Sequence, residues 1–272
     1  MSAAPPNGTG AASDGTAATP SIPGTLVGVS ATSSTAATHP DAGLTDVVAT
    51  DCDPPAAVID LSEWKLTLPV GDADGDALEV RQPALTEYQL PPYFSTSEDC
   101  SSVVFRAPVS AATTTGSTYP RSELREMTGS GAAAAWSSGT GVHVLRVDMA
   151  FTRLPNDKPH VVGMQIHDAN DDIIVFRLEG SSLWLTNGDE THWALVTDQY
   201  RLGTRFRGGF EVAGGHVKAF YNDSLIGTLT SDFEGAYFKV GAYTQANCTR
   251  SAPCSESNHG ETRVYGIELD HR

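Results

Sequence analysis

The feature that most restricts this chain is a period of two in its apolar residues, repeated in short runs that turn signals interrupt. Leu145, Val147, Met149 and Phe151 alternate with Val144, Arg146, Asp148 and Ala150. Successive side chains of an extended chain point to opposite faces, so this spacing predicts a strand with one face in a core. Val162, Met164 and Ile166 predict the same on the next strand. Further strands are expected over 173–178, 182–186, 206–212, 216–221, 224–229, 237–245 and 263–269. Asn187-Gly188, Gly214-Gly215 and Asn222-Asp223 lie between them, and such pairs accept the positive φ that tight hairpins need. The only helical hint falls near 85–89. Many short strands at this spacing indicate an all-β domain, a sandwich or jelly roll.

Residues 1–50 do not share the pattern. They are dominated by Ala, Thr, Ser, Gly and Pro, with no aromatic residue and no Lys or Arg. Such a stretch buries too little apolar surface to offset ordering entropy, so a flexible tail or linker is expected there, with one folded domain over 51–272. The whole chain carries a net charge of −16, and the tail contributes Asp14, Asp41 and Asp46, leaving −13 for the domain. A nucleic-acid partner is excluded on that balance, since phosphate binding needs a basic footprint. An anionic substrate is not excluded, because a groove can be locally basic inside an acidic protein.

Four cysteines occur, Cys52, Cys100, Cys248 and Cys254. None forms a CxxC pair, and no His stands at zinc-finger spacing. An even count in a Lys-poor, Thr/Ser-rich chain points to disulfides and a secreted protein. Position favours Cys248–Cys254, closing a short loop, and Cys52–Cys100, pinning the start of the domain; free buried thiols are the alternative. The opening MSAAPPNGTG has neither the basic nor the apolar region of a signal peptide, so a removed leader or another export route is expected. No apolar run is long enough to span a membrane.

Three segments carry chemistry on a strand's polar face. Arg121, Glu123 and Arg125 stand at i, i+2 and i+4 and share one face, with Glu123 placed to pair with both arginines. Gln165 and His167 share a face while Ile166 turns inward. Lys239, Tyr243 and Gln245 share a face with Gly241, opposite Phe238, Val240 and Ala242. Taken singly, each has a plainer explanation: an exposed ion-pair ladder worth little, a structural histidine, a packed tyrosine. Together they fit one reaction, elimination from a uronic acid. The proton beside a sugar carboxylate is weakly acidic until that carboxylate is neutralised, which guanidinium and amide donors can do. A base and an acid, typically His and Tyr, must then serve the ring carbon and the bridging oxygen. A glycoside hydrolase would need two carboxylates flanking the bond, and the shared face offers only Glu123.

These blocks resemble the alginate lyases of polysaccharide lyase family 7. RSELREM (121–127), QIH (165–167) and YFKVGAYTQ (237–245) match the family's motifs in order, and WKLTLPV (64–70) is similar to its first strand. The resemblance runs from about residue 57 to the end. It implies a jelly-roll β-sandwich of two antiparallel sheets, with a substrate groove on the concave sheet. It further implies that Arg121 and Gln165 neutralise the substrate carboxylate. His167 would be the base for guluronate, and Tyr243 would protonate the leaving oxygen and serve as base and acid for mannuronate. Glu123, Arg125, Lys239 and Gln245 would orient these groups and bind neighbouring sugars. Endolytic cleavage of alginate leaving 4,5-unsaturated ends is implied, by a monomer that uses no cofactor and no catalytic metal. Ile in the middle of QIH tends to accompany guluronate or mixed blocks.

Other signals are weaker. Asp72-Ala73-Asp74-Gly75-Asp76 begins like a calcium loop, but Pro83 stands where the bidentate Glu belongs, so a turn is expected. Trp136, Trp184 and Trp193 suit core packing as well as sugar stacking. Rival readings are a lyase for another polyuronate such as glucuronan, which shares the chemistry, and a non-catalytic carbohydrate-binding sandwich, which needs no aligned Arg, His and Tyr.

Overall fold

The period-two runs fold as strands. The computed structural model describes residues 52 to 188 and 190 to 272; the tail expected over 1–50 lies outside the described residues. The strands are β1 (Trp64–Gly71), β2 (Ala77–Val80), β3 (Phe94–Thr96), β4 (Val103–Pro108), β5 (Arg121–Glu126), β6 (Val142–Arg153), β7 (His160–His167) and β8 (Asp172–Glu179). They continue as β9 (Ser182–Asn187), β10 (Glu190–Thr197), β11 (Phe206–Ala213), β12 (His216–Tyr221), β13 (Ser224–Thr230), β14 (Tyr237–Thr244) and β15 (His259–His271). One sheet has the order β10-β9-β8-β7-β14-β5-β1-β2 and the other β13-β12-β11-β6-β15-β4-β3. All pairings are antiparallel. The fold is the two-sheet jelly roll that the sequence implies.

A single apolar core lies between the sheets. Leu145, Val147, Met149 and Phe151 of β6 join Ile166, Phe176, Phe238 and Val240 of the other sheet in it. The alternation read in β7 holds at Met164 and Ile166 but shifts at Val162, which is buried yet lies outside the inter-sheet cluster that Val161 joins. The register with β8 shifts between Val162 and Met164, a bulge that turns two consecutive positions inward. A Cβ at Gly163 would sit 2.5 Å from Met149 Cε and 2.8 Å from Phe151 Cζ, so a side chain there would displace the facing residues of β6.

Strands β2, β3, β4 and β10 carry no expectation from the sequence. The first two span four and three residues, too few for a period to register. Strand β10 is an edge strand with no buried residue between Glu190 and Thr197, so its two faces differ little. The helical hint is one 3-10 turn, Ala84–Glu87, and Asp72–Asp76 is a turn in which Asp72 Oδ1 accepts the N–H groups of Asp74 and Asp76. Both disulfides form, Cys52–Cys100 with Cα atoms 5.5 Å apart and Cys248–Cys254 at 4.7 Å. Among the described residues no helix is long and apolar enough to cross a membrane.

Gly241 is the tightest backbone approach beneath the outer face of the eight-stranded sheet. It pairs with Glu123 at φ +151, and a Cβ there would lie 2.4 Å from Ser122 O and 2.7 Å from Glu123 Cα. Backbone cannot yield as a side-chain tip can, so Gly241→Ala must push β14 off β5. A stability loss of about 2–4 kcal/mol is expected, measured by urea denaturation; a loss under about 0.5 kcal/mol would show that the strands separate freely.

Candidate active site

The register of four neighbouring strands sets out the polar side chains in rows. His167 pairs with Tyr237, and Gln165 pairs with Lys239, which pairs in turn with Arg125 and through it with Lys65. The next rows hold Gly241, Glu123 and Thr67, then Tyr243 and Arg121. Partners directly opposite on one face have Cβ atoms about 5 Å apart, so strand parity and register alone bring these groups together. Ser122, Leu124, Phe238, Val240 and Ala242 point the other way and are buried. The polar groups line a cleft of about 510 Å³, walled by Thr114–Ser117 on one side and Ala169–Asp172 on another.

Glu123 is the hub beneath the cleft, only 1% exposed. Its Oε2 accepts from Lys239 Nζ at 2.7 Å and Arg121 Nη1 at 3.2 Å, while Oε1 accepts from Gln165 Nε2. Burial by itself would raise this carboxyl, but Lys239 and Arg121 outweigh it and hold it below the usual 4.5. Burial pulls the Lys239 ammonium down to about 8, with Arg121 adding to the effect and Glu123 opposing it. The hub therefore holds two cations against one anion. That local excess is how a chain of net charge −16 can receive an anion.

The expected pairing of Glu123 with both arginines is half right. Arg125 turns away, donating to Glu126 O at 2.6 Å and Ala134 O at 3.3 Å, with its guanidinium 3.9 Å above the Tyr237 ring. Lys239 replaces it because β14 lies against β5 with Lys239 beside Arg125 and a bare Gly241 beside Glu123, leaving room for the ammonium to reach the carboxylate.

His167 Nδ1 lies 2.6 Å from Asp168 O. A carbonyl only accepts, so Nδ1 carries the proton and Nε2 is left with its lone pair. Burial lowers the imidazole from 6.5, and Lys239 and Arg121 press the same way. The Tyr237 ring stacks on it at 5.6 Å between centroids. The Arg121 guanidinium lies 3.8 Å over the Tyr243 ring, and Tyr243 Oη is 3.0 Å from Ser117 Oγ. On the far wall, burial and then Asp171 push Asp172 up to about 6.

Of the eight predicted catalytic and binding residues, Arg121, Gln165, His167, Tyr243, Arg125 and Lys239 line the cleft, and Glu123 lies beneath it. Gln245 follows the end of β14, gives its backbone N–H to His160 O, and is not among the lining residues. Tyr237, Lys65 and Ser117 line the cleft unannounced. Tyr237 is two residues from Lys239, so parity alone could have found it; Ser117 sits in a loop with no period to read. The three tryptophans serve elsewhere: Trp136 Nε1 bonds Glu126 at 3.0 Å, Trp184 lies against His192, and Trp193 packs over Gly227.

Comparison with known proteins agrees with this geometry. The family model described as alginate lyase matches residues 59–271. An alginate lyase structure from Corynebacterium sp. is 50% identical, covering 81% of this chain and 99% of that one at a TM-score of 0.79. The alginate lyase AlgAT5 of polysaccharide lyase family 7 is 42% identical over 80% of this chain and 99% of its own, with a TM-score of 0.76. An alginate lyase from Klebsiella pneumoniae is 41% identical over 75 residues, and the match spans only 24% of its length. With the family model matched across nearly the whole described chain and half of the aligned positions shared with a solved relative, this protein belongs to the alginate lyases of polysaccharide lyase family 7.

Proposed function

We propose that residues 51–272 form a catalytic domain that cleaves alginate endolytically by β-elimination, favours guluronate or mixed blocks, and leaves 4,5-unsaturated uronate ends. The observation that carries this reading is the meeting of Arg121, Gln165, His167 and Tyr243 in one cleft whose central carboxylate, Glu123, is already consumed by Lys239 and Arg121. A hydrolase needs two carboxylates flanking the bond, whereas the cleft's other carboxylates are Glu79, paired with Lys65 and Arg81, and the adjacent Asp171 and Asp172 on one wall. An elimination needs cations, an amide, a base and an acid. In this reading Arg121 and Gln165 bind the sugar carboxylate, and the transition-state charge that builds beside it falls on donors already in position. The His167 Nε2 lone pair takes the C5 proton, the electron pair forms the C4–C5 double bond, and the bridging oxygen leaves with a proton from Tyr243. Arg125 and Lys239 hold neighbouring sugars and orient the site, Glu123 fixes the cations, and Gln245 acts through the end of β14.

The cleft supports an endolytic mode. Its lining runs from Glu79 on β2 to Asp172 on β8, six adjacent strands in the sheet order, or about 24 Å at the usual strand spacing. Several sugars fit along that length, so a bond inside a polymer can reach the reactive groups. The disulfides Cys52–Cys100 and Cys248–Cys254 support secretion into an oxidising space. The partner is the acidic polysaccharide, and the chain acts as a monomer without nucleic acid, membrane or cofactor.

The test is incubation with defined polyguluronate, polymannuronate and glucuronan while the unsaturated product is followed by its absorbance. Rapid appearance on polyguluronate is expected. Binding without product, or saturated reducing ends only, would sink the lyase reading; faster turnover of polymannuronate or glucuronan would reassign the substrate.

The same site sets the pH profile. His167 must be neutral to accept a proton, and burial holds it below 6.5, so the acid limb of kcat/KM is expected below that pH. Lys239, at about 8, loses its charge as pH rises through that value, and an alkaline limb is expected there, about tenfold per pH unit on each side. An acid limb above pH 7 would show that the imidazole is not held neutral.

A further inference from the structure

We propose that Ser117 is a positioning residue for Tyr243, its hydroxyl turning the phenolic proton toward the substrate and then holding the oxygen that is left behind. The inference rests on the reading of Tyr243 as the acid. Among the described residues, Ser117 is the only side chain hydrogen-bonded to Tyr243 Oη, at 3.0 Å. The Tyr119 N–H donates to Ser117 Oγ at 3.2 Å, and Tyr119 O lies 3.2 Å from the same atom as an acceptor.

A hydroxyl has one proton and two lone pairs, and the Tyr119 N–H occupies one lone pair. Two arrangements remain, differing only by rotation of the two hydroxyl protons about the Ser117 Cβ–Oγ and Tyr243 Cζ–Oη bonds. In one, the phenol donates to Ser117 and Ser117 donates to Tyr119 O. In the other, Ser117 donates to Tyr243 Oη, and the phenolic proton is free to face the cleft. The second arrangement is the reactive one. Once that proton has passed to the bridging oxygen, the same Ser117 O–H stays on the phenolate as a charge-assisted hydrogen bond, stronger than the neutral bond it replaces. The Arg121 guanidinium, 3.8 Å over the ring, adds positive charge from another direction. No heavy atom has to move.

Hydrogen bonds fasten the loop on several sides. Ala112 N–H bonds Pro69 O, Ser117 N–H bonds Thr114 O and Thr244 N–H bonds Pro120 O. Asn247 Nδ2 donates to Thr118 O at 3.1 Å, and Lys158 Nζ to Tyr119 Oη at 3.0 Å. Gly116 makes the turn at φ +84. Five fastenings around one hydroxyl point to a placed group rather than a surface serine.

The experiment compares the full chain with Ser117→Ala, Ser117→Thr, Tyr243→Phe and the Ser117→Ala/Tyr243→Phe double variant, by initial rates of unsaturated product from polyguluronate. Ser117→Ala is expected to lower kcat about ten- to hundredfold, the worth of a hydrogen bond to a charged oxygen, with KM within about twofold. Ser117→Thr, which keeps the hydroxyl, restores kcat to within a fewfold. The double variant is no slower than Tyr243→Phe alone, because Ser117 acts through that tyrosine. An unchanged kcat in Ser117→Ala, a raised KM with kcat intact, no rescue by Thr, or a further loss in the double variant would each overturn the inference. Wild-type turnover by Tyr243→Phe would overturn the acid assignment as well, whereas an inactive Tyr243→Phe beside a fully active Ser117→Ala overturns this inference alone.

Discussion

Replacing Tyr243 with Phe is expected to lower kcat on polyguluronate by about 10²- to 10⁴-fold, the usual contribution of a positioned proton donor. The substitution removes one oxygen, which bonds Ser117 and no other described side chain. The ring keeps its place under Arg121, so substrate binding and KM should change little. The fold should lose no more than about 1 kcal/mol, the net worth of one hydrogen bond. Rates from product absorbance, paired with a urea melt of the same sample, separate the two effects. A loss of activity that tracks a loss of stability would mean that the phenol is structural. A variant that still turns over at more than a tenth of the wild-type rate would remove Tyr243 from the mechanism.

Replacing Glu123 with Ala should damage both stability and activity, with about 3–5 kcal/mol lost from the fold. The carboxylate is 1% exposed and neutralises Lys239 and Arg121, themselves 7% and 9% exposed. Removing one partner of a buried pair leaves the other charge without water or counterion, and that uncompensated charge is the main cost. Lys239, already at about 8, would lose its strongest support for the charged form and release its proton more readily. The cleft would then lose a cation facing the substrate, and Gln165 would lose the acceptor that orients its amide. The pH dependence has a definite sign. The Glu123 carboxyl is held below its ordinary 4.5, so its contribution is present above pH 4.5 and disappears as pH falls through the folded value. Wild type and Glu123→Ala should therefore differ most in urea melts above pH 5 and converge in acid. A difference under about 1 kcal/mol at pH 6 would mean that water reaches the hub.

Much of the site could be read from parity. Arg121, Glu123 and Arg125 occupy alternate positions of one strand, as do Gln165 with His167 and Lys239 with Tyr243, and a strand has no choice but to put each set on one face. Parity within a strand says nothing about the neighbouring strand, however. It could not show that Lys239 rather than Arg125 would complete the ion pair of Glu123, because that depends on a register in which Gly241 stands beside Glu123. Nor could it anticipate the slip at Gly163, where contact between the sheets rather than the local pattern decides which residue turns inward. Ser117 and the segment 169–171 belong to loops, whose side chains have no repeating direction, and the loop of Ser117 is aimed by distant anchors such as Pro69 and Asn247.

The sequence alone determined the class of the fold, the polar and apolar face of each main strand, the cysteine pairs that its spacing favoured, and the inventory of groups available for chemistry. These follow from short-range geometry, in which side-chain direction repeats every two residues and turns need particular residues. The tertiary structure alone decided which faces became neighbours, which cation Glu123 holds, and what lies against the phenol of Tyr243. Those outcomes depend on strand order and register between segments up to 126 residues apart, as Ser117 and Tyr243 are, and no local period carries that information.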